Sequence, residues 1–255
     1  MAYTPTETMV TLTNPESAVA ETYRILRTNI LLRDVDKKIK VINVISTTAQ
    51  EGKSTTVLNL ASVYAQLGKK VLVLDLDLRM PSLHKKLNIK NDKGVSDVVG
   101  GQARFGDTVV HYTTNFDILF AGTRISFSAE FIQSEAMKRF IEQIKEYYDL
   151  VLLDCPPVGL TSDGILACKL ADGTILVCAS NVNEKNDLLR TKSQLTQIGA
   201  NVLGVVLSRM PAEKKHYGSY GYGYGYGYGY GQQSRKHTKR RLRRIKKGTK
   251  NRKSI

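Results

Sequence analysis

The chain has 255 residues, of which 42% are hydrophobic, enough to bury one full core, and it carries a formal net charge of +15. That charge is concentrated, because residues 235–253 hold twelve Lys and Arg and no Asp or Glu, leaving only about +3 for the rest. No stretch nears the roughly twenty apolar residues that cross a bilayer, and the opening MAYTPTETMV lacks the basic and apolar regions of a secretory signal, so the protein is expected to stay inside the cell.

Residues 1–15 are polar and read as a flexible N-terminus, and apolar residues at helical spacing predict a helix from about Glu16 to Arg33. VINVIS (41–46) is strand-like, Ser54 to Leu67 is helical with Gly68 as its stop, and VLVLDLD (71–77) is a second buried strand. Less regular sequence follows to Phe116. DILFAG (117–122) can form a strand, and a helical run from about Ala129 to Tyr148 leads into DLVLLDC (149–155). GTILVCAS (173–180), a helix from Glu184 to Ile198 and NVLGVVLS (201–208) close the pattern. Apolar strands alternating with helices indicate an α/β fold, a parallel sheet with helices on both faces, since parallel connections need crossovers and helices supply them. The predicted domain covers 16–212. Beyond it lie a Tyr/Gly-rich segment over 213–231 and a polybasic tail over 232–255, both low in complexity and expected to be flexible.

Cys155, Cys168 and Cys178 share no metal-ligand spacing and sit in or beside apolar runs, which suits a reducing compartment. His84, His111, His216 and His237 are scattered, so no histidine metal site is expected.

The chemistry begins at VINVISTTAQEGKSTTVLNLA, which sets Gly52, Lys53, Ser54 and Thr55 between a strand and a helix. In that setting backbone N–H groups point at phosphate oxygens, a lysine neutralises the β and γ charge, and a hydroxyl can bind Mg²⁺. The usual pattern has a glycine five positions before Gly52, where this chain has Thr47. VLVLDLDLR then ends in Asp75 and Asp77, and VLLDCPP in Asp154. Three carboxylates thus fall at the carboxyl ends of two buried strands, where open α/β sheets bind ligands. With the glycine-lysine loop they form a coherent Mg²⁺–ATP site on a P-loop NTPase-like sheet.

At these residues the sequence resembles the bacterial tyrosine kinases of capsule and exopolysaccharide synthesis, in particular their separate cytoplasmic kinase subunit in Gram-positive bacteria. AQEGKST (49–55) matches the family's Walker A motif, VLVLDLDLR (71–79) its second aspartate motif, VLLDCPP (151–157) its Walker B motif and residues 217–231 its tyrosine cluster. Glu21, Arg24 and Arg27 in ETYRILR match its ExxRxxR oligomerisation motif. The resemblance implies that Ala49, Gln50, Glu51, Gly52, Lys53, Ser54 and Thr55 bind ATP, and that Ser54, Asp75 and Asp154 hold Mg²⁺. It implies Asp77 as the base for the incoming tyrosine, with Arg79 supporting the same site. Ala49 and Gln50 depart from the Pro-Gly of many members, and the basic extension is longer than the family's pattern. Nothing in the sequence identifies the adenine contacts, for which Ser208 and Arg209 are positional candidates.

Tyr217, Tyr220, Tyr222, Tyr224, Tyr226, Tyr228 and Tyr230 alternate mostly with glycine, an extended and unhindered substrate for autophosphorylation, and each phosphate adds close to two negative charges. The resemblance further implies a ring-like homo-oligomer such as an octamer, a transmembrane polysaccharide co-polymerase as activator, a cognate tyrosine phosphatase, and a cytoplasmic place at the inner face of the plasma membrane reached through that partner. The polybasic tail suits an anionic membrane surface. Two other readings remain open at this stage. One is a switch ATPase like the ParA/MinD group, whose signature lysine position is Thr48 here. The other is an ATP-regulated nucleic-acid-binding protein driven by the tail, although no recognition helix supports nucleic acid as a partner.

Overall fold

The computed structural model describes residues 3–36, 38–180, 182 and 185–210. The tyrosine cluster and polybasic tail therefore lie outside the described residues. In chain order the elements are α1 (Val10–Thr13), α2 (Ala18–Arg33), β1 (Val41–Ser46), α3 (Lys53–Ala65), β2 (Val71–Asp75), α4 (Leu83–Leu87), α5 (Val95–Val99) and α6 (Phe105–Thr108). They continue with β3 (Val110–Thr113), β4 (Phe116–Leu119), α7 (Ser128–Gln133), α8 (Glu135–Tyr147), β5 (Leu150–Asp154), α9 (Asp163–Ala167), β6 (Gly173–Ala179), α10 (Lys185–Gln197) and β7 (Val202–Ser208).

The seven strands form one sheet in the order β3-β4-β2-β5-β1-β6-β7. All neighbours pair in parallel except β3 and β4, which are antiparallel. The expected parallel sheet is thus extended at one edge by a strand the sequence reading missed. Only the two residues Thr114 and Asn115 join β3 to β4, and so short a link can only reverse the chain.

Alternate residues of each central strand feed two cores, as the two-residue period of a strand requires. Ile42, Val44, Val71, Val73, Leu150 and Leu152 pack with Met9 and Ile30 and with Val57, Leu60 and Val63 of α3. Val41, Ile45, Leu72, Leu74, Val151 and Leu153 pack on the opposite face with Met137, Phe140, Ile141 and Ile144 of α8 and Leu195 of α10. Helices cover both faces, as expected for a doubly covered sheet.

Three boundaries differ from the sequence reading, each for a local reason. The helix expected over Ala129–Tyr148 is broken at Ser134, whose hydroxyl accepts from the Met137 N–H at 3.1 Å and so caps α8. In the segment expected to be a loose N-terminus, residues 8–13 are held against the core. Its Met9 is buried in the core, and Thr11 donates its N–H and its hydroxyl to the Asn59 side-chain carbonyl, each at 3.0 Å. The strand expected over 71–77 stops at Asp75 because β2 runs out of a partner there.

Candidate active site

β1 ends at Ser46 in the middle of the sheet, and residues 47–52 turn from it into α3. The turn is shaped by its own hydrogen bonds. The Ser46 hydroxyl donates to the Thr48 carbonyl at 2.6 Å, and the Thr48 hydroxyl donates to the Glu51 carboxylate at 2.9 Å. Gln50 and Gly52 both take positive φ, at 61° and 96°. A glycine adopts that conformation freely and a glutamine does not, so the loop holds strain at Gln50. The end of β7 braces the loop, where the Ser208 hydroxyl donates to the Glu51 carbonyl and the Arg209 guanidinium donates to the Gln50 carbonyl.

Thr47 occupies the place of the usual first glycine of the phosphate loop, and its surroundings show how a side chain fits. Its backbone is outside the left-handed region, and its hydroxyl lies 3.3 Å from that of Thr191 on α10. The close approach is made by a different glycine. Gly159 donates its N–H to the Thr47 carbonyl at 2.9 Å, and a Cβ there would come within 2.5 Å of that oxygen.

Asp75 and Asp154 are the last residues of β2 and β5, and they lie in register on neighbouring parallel strands. Both are buried, and Asp75 Oδ2 and Asp154 Oδ1 have no hydrogen-bond partner among the described residues. Burial first, then repulsion from Asp154, pushes the Asp75 carboxyl well above the ordinary carboxylate range. Burial likewise lifts Asp154 to about 6, although Lys53 and a hydrogen bond from Ser54 oppose the rise. Two buried carboxylates with unpaired oxygens gain by binding a cation. Among the described residues no three acidic, histidine or cysteine groups converge to hold an ion alone. Mg²⁺ does not need such a cage, since it usually keeps several waters and is bound through one or two carboxylates and the phosphates of a substrate. Asp75, Asp154 and the Ser54 hydroxyl therefore fit Mg²⁺ arriving with a nucleotide.

Lys53, at the first turn of α3, is nearly buried, and its charge is felt by both Asp154 and Asp77. Asp77 is partly exposed and accepts the Met80 N–H at 3.0 Å. Burial raises its pKa against the pull of that hydrogen bond and of Lys53. Ala49–Thr55, Asp75, Asp77 and Asp154 are thus gathered at one end of the sheet. Arg79 follows on the same loop, where its Nε donates to the Ser128 hydroxyl at 2.6 Å and to Asp163 at 3.3 Å. Ser128 and Asp163 escaped the sequence reading, because they lie 49 and 84 positions from Arg79 and only the folded chain brings them to it.

Glu21, Arg24 and Arg27 stand apart on α2. Glu21 and Arg24 pair at 3.0 Å on the surface, whereas Arg27 donates to the Val63 carbonyl of α3 at 2.8 Å. Arg27 therefore turns toward α3 within the chain, apart from the surface pair of Glu21 and Arg24.

The AAA domain family matches residues 39–201, a span that includes the phosphate loop and all three carboxylates. The tyrosine-protein kinase YwqD of Bacillus subtilis (strain 168) is 34% identical over 215 residues, covering 84% of this chain and 91% of the relative. The chain belongs to the bacterial tyrosine kinases. A second such kinase, the putative tyrosine-protein kinase CapB of Staphylococcus aureus, is 30% identical over 210 residues, 81% of this chain and 92% of CapB. Among solved structures, the crystal structure of the chimerical protein CapA2B2 superposes with a TM-score of 0.77 at 30% identity, covering 83% of this chain and 93% of that one. As a bacterial tyrosine kinase on a P-loop fold, the chain is a nucleotide-binding transferase.

Proposed function

We propose that the chain is an ATP-dependent autokinase that phosphorylates the C-terminal tyrosines of a neighbouring copy, and so regulates the polymerisation and export of a capsular or other exopolysaccharide. The observation that carries the chemistry is the in-register pair Asp75 and Asp154, buried with unpaired oxygens beside Lys53 and Ser54. Backbone N–H groups of Ala49–Thr55 at the start of α3 cradle the phosphates of ATP, and Lys53 offsets their charge. When bound, Mg²⁺ supplies a further positive charge against the oxygens that become more negative during transfer.

Asp77 takes the proton of the tyrosine hydroxyl as the phenol oxygen bonds to the γ-phosphorus. The bond from that phosphorus to the β–γ bridging oxygen breaks, ADP leaves, and Asp77 returns its proton to water. Phenol is acidic only near pH ~10, so a carboxylate helps most once the new O–P bond has begun to form.

The second copy is supported by α2, where Glu21 and Arg24 pair on the surface and Val19, Ile25 and Leu32 remain exposed. A helix with exposed apolar residues gains by packing on another subunit, and closure of such contacts gives a ring. Among the described residues no helix is long and apolar enough to cross a membrane. A transmembrane co-polymerase would therefore hold the kinase at the inner face of the membrane, where a tyrosine phosphatase reverses its work. Twelve tail cations add attraction to anionic lipid.

The test mixes two full-length chains with Mg²⁺–ATP and the cytoplasmic segment of the transmembrane partner. One chain carries Lys53→Met and an intact tail; the other is active, with phenylalanine at all seven tail tyrosines. Phosphopeptide mapping should find phosphate on Tyr217–Tyr230 of the inactive chain only in the mixture. Replacing the active chain by one that also carries Asp77→Asn should lower that signal at least ~100-fold with ATP affinity kept. ATP hydrolysis with no tyrosine phosphate would leave a switch ATPase of the ParA/MinD kind.

A further inference from the structure

Arg79 is held by two groups from separate elements. Ser128 opens α7 and Asp163 opens α9, and both are fully buried. The Ser128 hydroxyl donates to Asp163 Oδ2 at 2.5 Å, and Arg79 Nε donates to the same carboxylate oxygen at 3.3 Å and to the Ser128 oxygen at 2.6 Å. Among the described residues the terminal nitrogens Nη1 and Nη2 of Arg79 have no partner, and the side chain is 42% exposed. The guanidinium is therefore gripped along one edge and open along the other.

Asp163 is itself rigidly placed. The Asn43 side chain of β1 donates to the Gly164 carbonyl at 3.0 Å, and a Cβ on Gly164 would meet the Pro156 carbonyl oxygen at 2.8 Å. The start of α9 is thus pinned between β1 and the loop that follows Asp154. A buried carboxylate without a counterion is costly, so Arg79 is drawn to this fixed point. Arg79 also lies two residues beyond Asp77, whose environment registers the Asp163 charge, so the grip is close to the reacting groups.

We infer that Asp163 is a positioning residue for phosphoryl transfer: with Ser128 it holds the Nε edge of Arg79 and leaves the two terminal nitrogens to bind the transferred phosphoryl oxygens. An arginine is suited to that task because its planar fork presents paired N–H donors, and its value depends on orientation fixed before the charge develops. The inference rests on the reading of this end of the sheet as the phosphoryl-transfer centre.

The test uses the full chain with Mg²⁺–ATP and the partner segment, and reads both ADP release and tail phosphate. Asp163→Asn keeps the size of the side chain and removes its charge. It is expected to lower turnover on the order of tenfold to a hundredfold, as loss of alignment does, with the KM for ATP changed by less than about twofold. Arg79→Ala should lose at least as much. The double variant should then be no slower than Arg79→Ala alone to within about threefold, since Asp163 acts through the arginine. Unchanged turnover in Asp163→Asn, or losses that multiply in the double variant, would overturn the inference. If Asp163→Asn fails to fold, Ser128→Ala decides by the same criteria. A chain that releases ADP without labelling its tail sinks the autokinase reading, whereas the effect of Asp163→Asn on ADP release still decides this one.

Discussion

Asp75 and Asp154 are a pair whose cost and use are opposite sides of one property. Ionised and buried, they repel each other, and both bind protons more tightly than free carboxylates do. Between the unfolded value of 3.8 and the native value of about 6 for Asp154, the folded chain holds more protons than the unfolded chain. Stability without metal should therefore rise as the pH falls through about 6, and be lowest where the pair is fully charged. Mg²⁺–ATP reverses the advantage, because it needs the carboxylates as anions and binds only the folded chain. Thermal unfolding at pH 7.5 and 5.5 checks this. The metal-free chain should melt higher at the lower pH, and the increment from Mg²⁺–ATP should be larger at the higher. Asp154→Asn should flatten both trends; trends equally steep in that variant would assign them to other groups. The pair was legible in the sequence, since each aspartate ends an apolar run. Asp163 was not, because it stands 84 positions from Arg79 and only the folded sheet joins them.

At the level of elements, the least expected feature is the strap formed by residues 8–13. Asn59, in the buried middle of α3, accepts two hydrogen bonds from Thr11 and donates to the carbonyls of Thr8 and Thr55, each at 2.8 Å. Met9 fills the core beside it, and the Gln66 side chain donates to the Thr11 carbonyl at 3.1 Å. Truncation at Asn59 would leave the Thr11 hydroxyl and N–H without their acceptor in a site closed to water. Asn59→Ala should therefore cost about 2–3 kcal/mol in denaturant unfolding, with loss of amide protection confined at first to Thr8–Thr13. A cost under about 0.5 kcal/mol would mean that the strap is held by Met9 alone. β1, β2, β5 and β6 could be read in advance because strands buried on both faces are continuous apolar runs. The strap could not, since a polar stretch held by four side-chain hydrogen bonds has no apolar period to detect. The short helices α4, α5, α6 and α9 escaped for a related reason, as one or two turns are too brief to establish a period.

At the scale of the whole molecule the sequence divides its charge sharply, with twelve cations in residues 235–253 and only about +3 elsewhere. A surface rich in anionic lipid attracts such a segment by about 1 kcal/mol per Lys or Arg near it. Phosphate on all seven tail tyrosines would add roughly −10 to −14, close to the whole charge of the basic segment. Those anions would lie a few residues from the cations and would compete with lipid for them, so phosphorylation should act as an electrostatic release. Vesicles containing phosphatidylserine can test the idea in co-sedimentation. The unphosphorylated full-length chain should bind, and binding should fall as added salt shortens the screening length from about 30 Å to about 8 Å. Deleting residues 235–255 should weaken binding at least ~10-fold, and so should prior incubation with Mg²⁺–ATP under conditions that label the tail. Binding retained by the truncated chain would defeat anchoring by the basic segment. Binding lost on truncation yet kept after full phosphorylation would leave the anchor standing and remove the release. In that case repulsion between the tails of the proposed oligomer is the next effect to test, by mass measurement of the full-length chain before and after labelling.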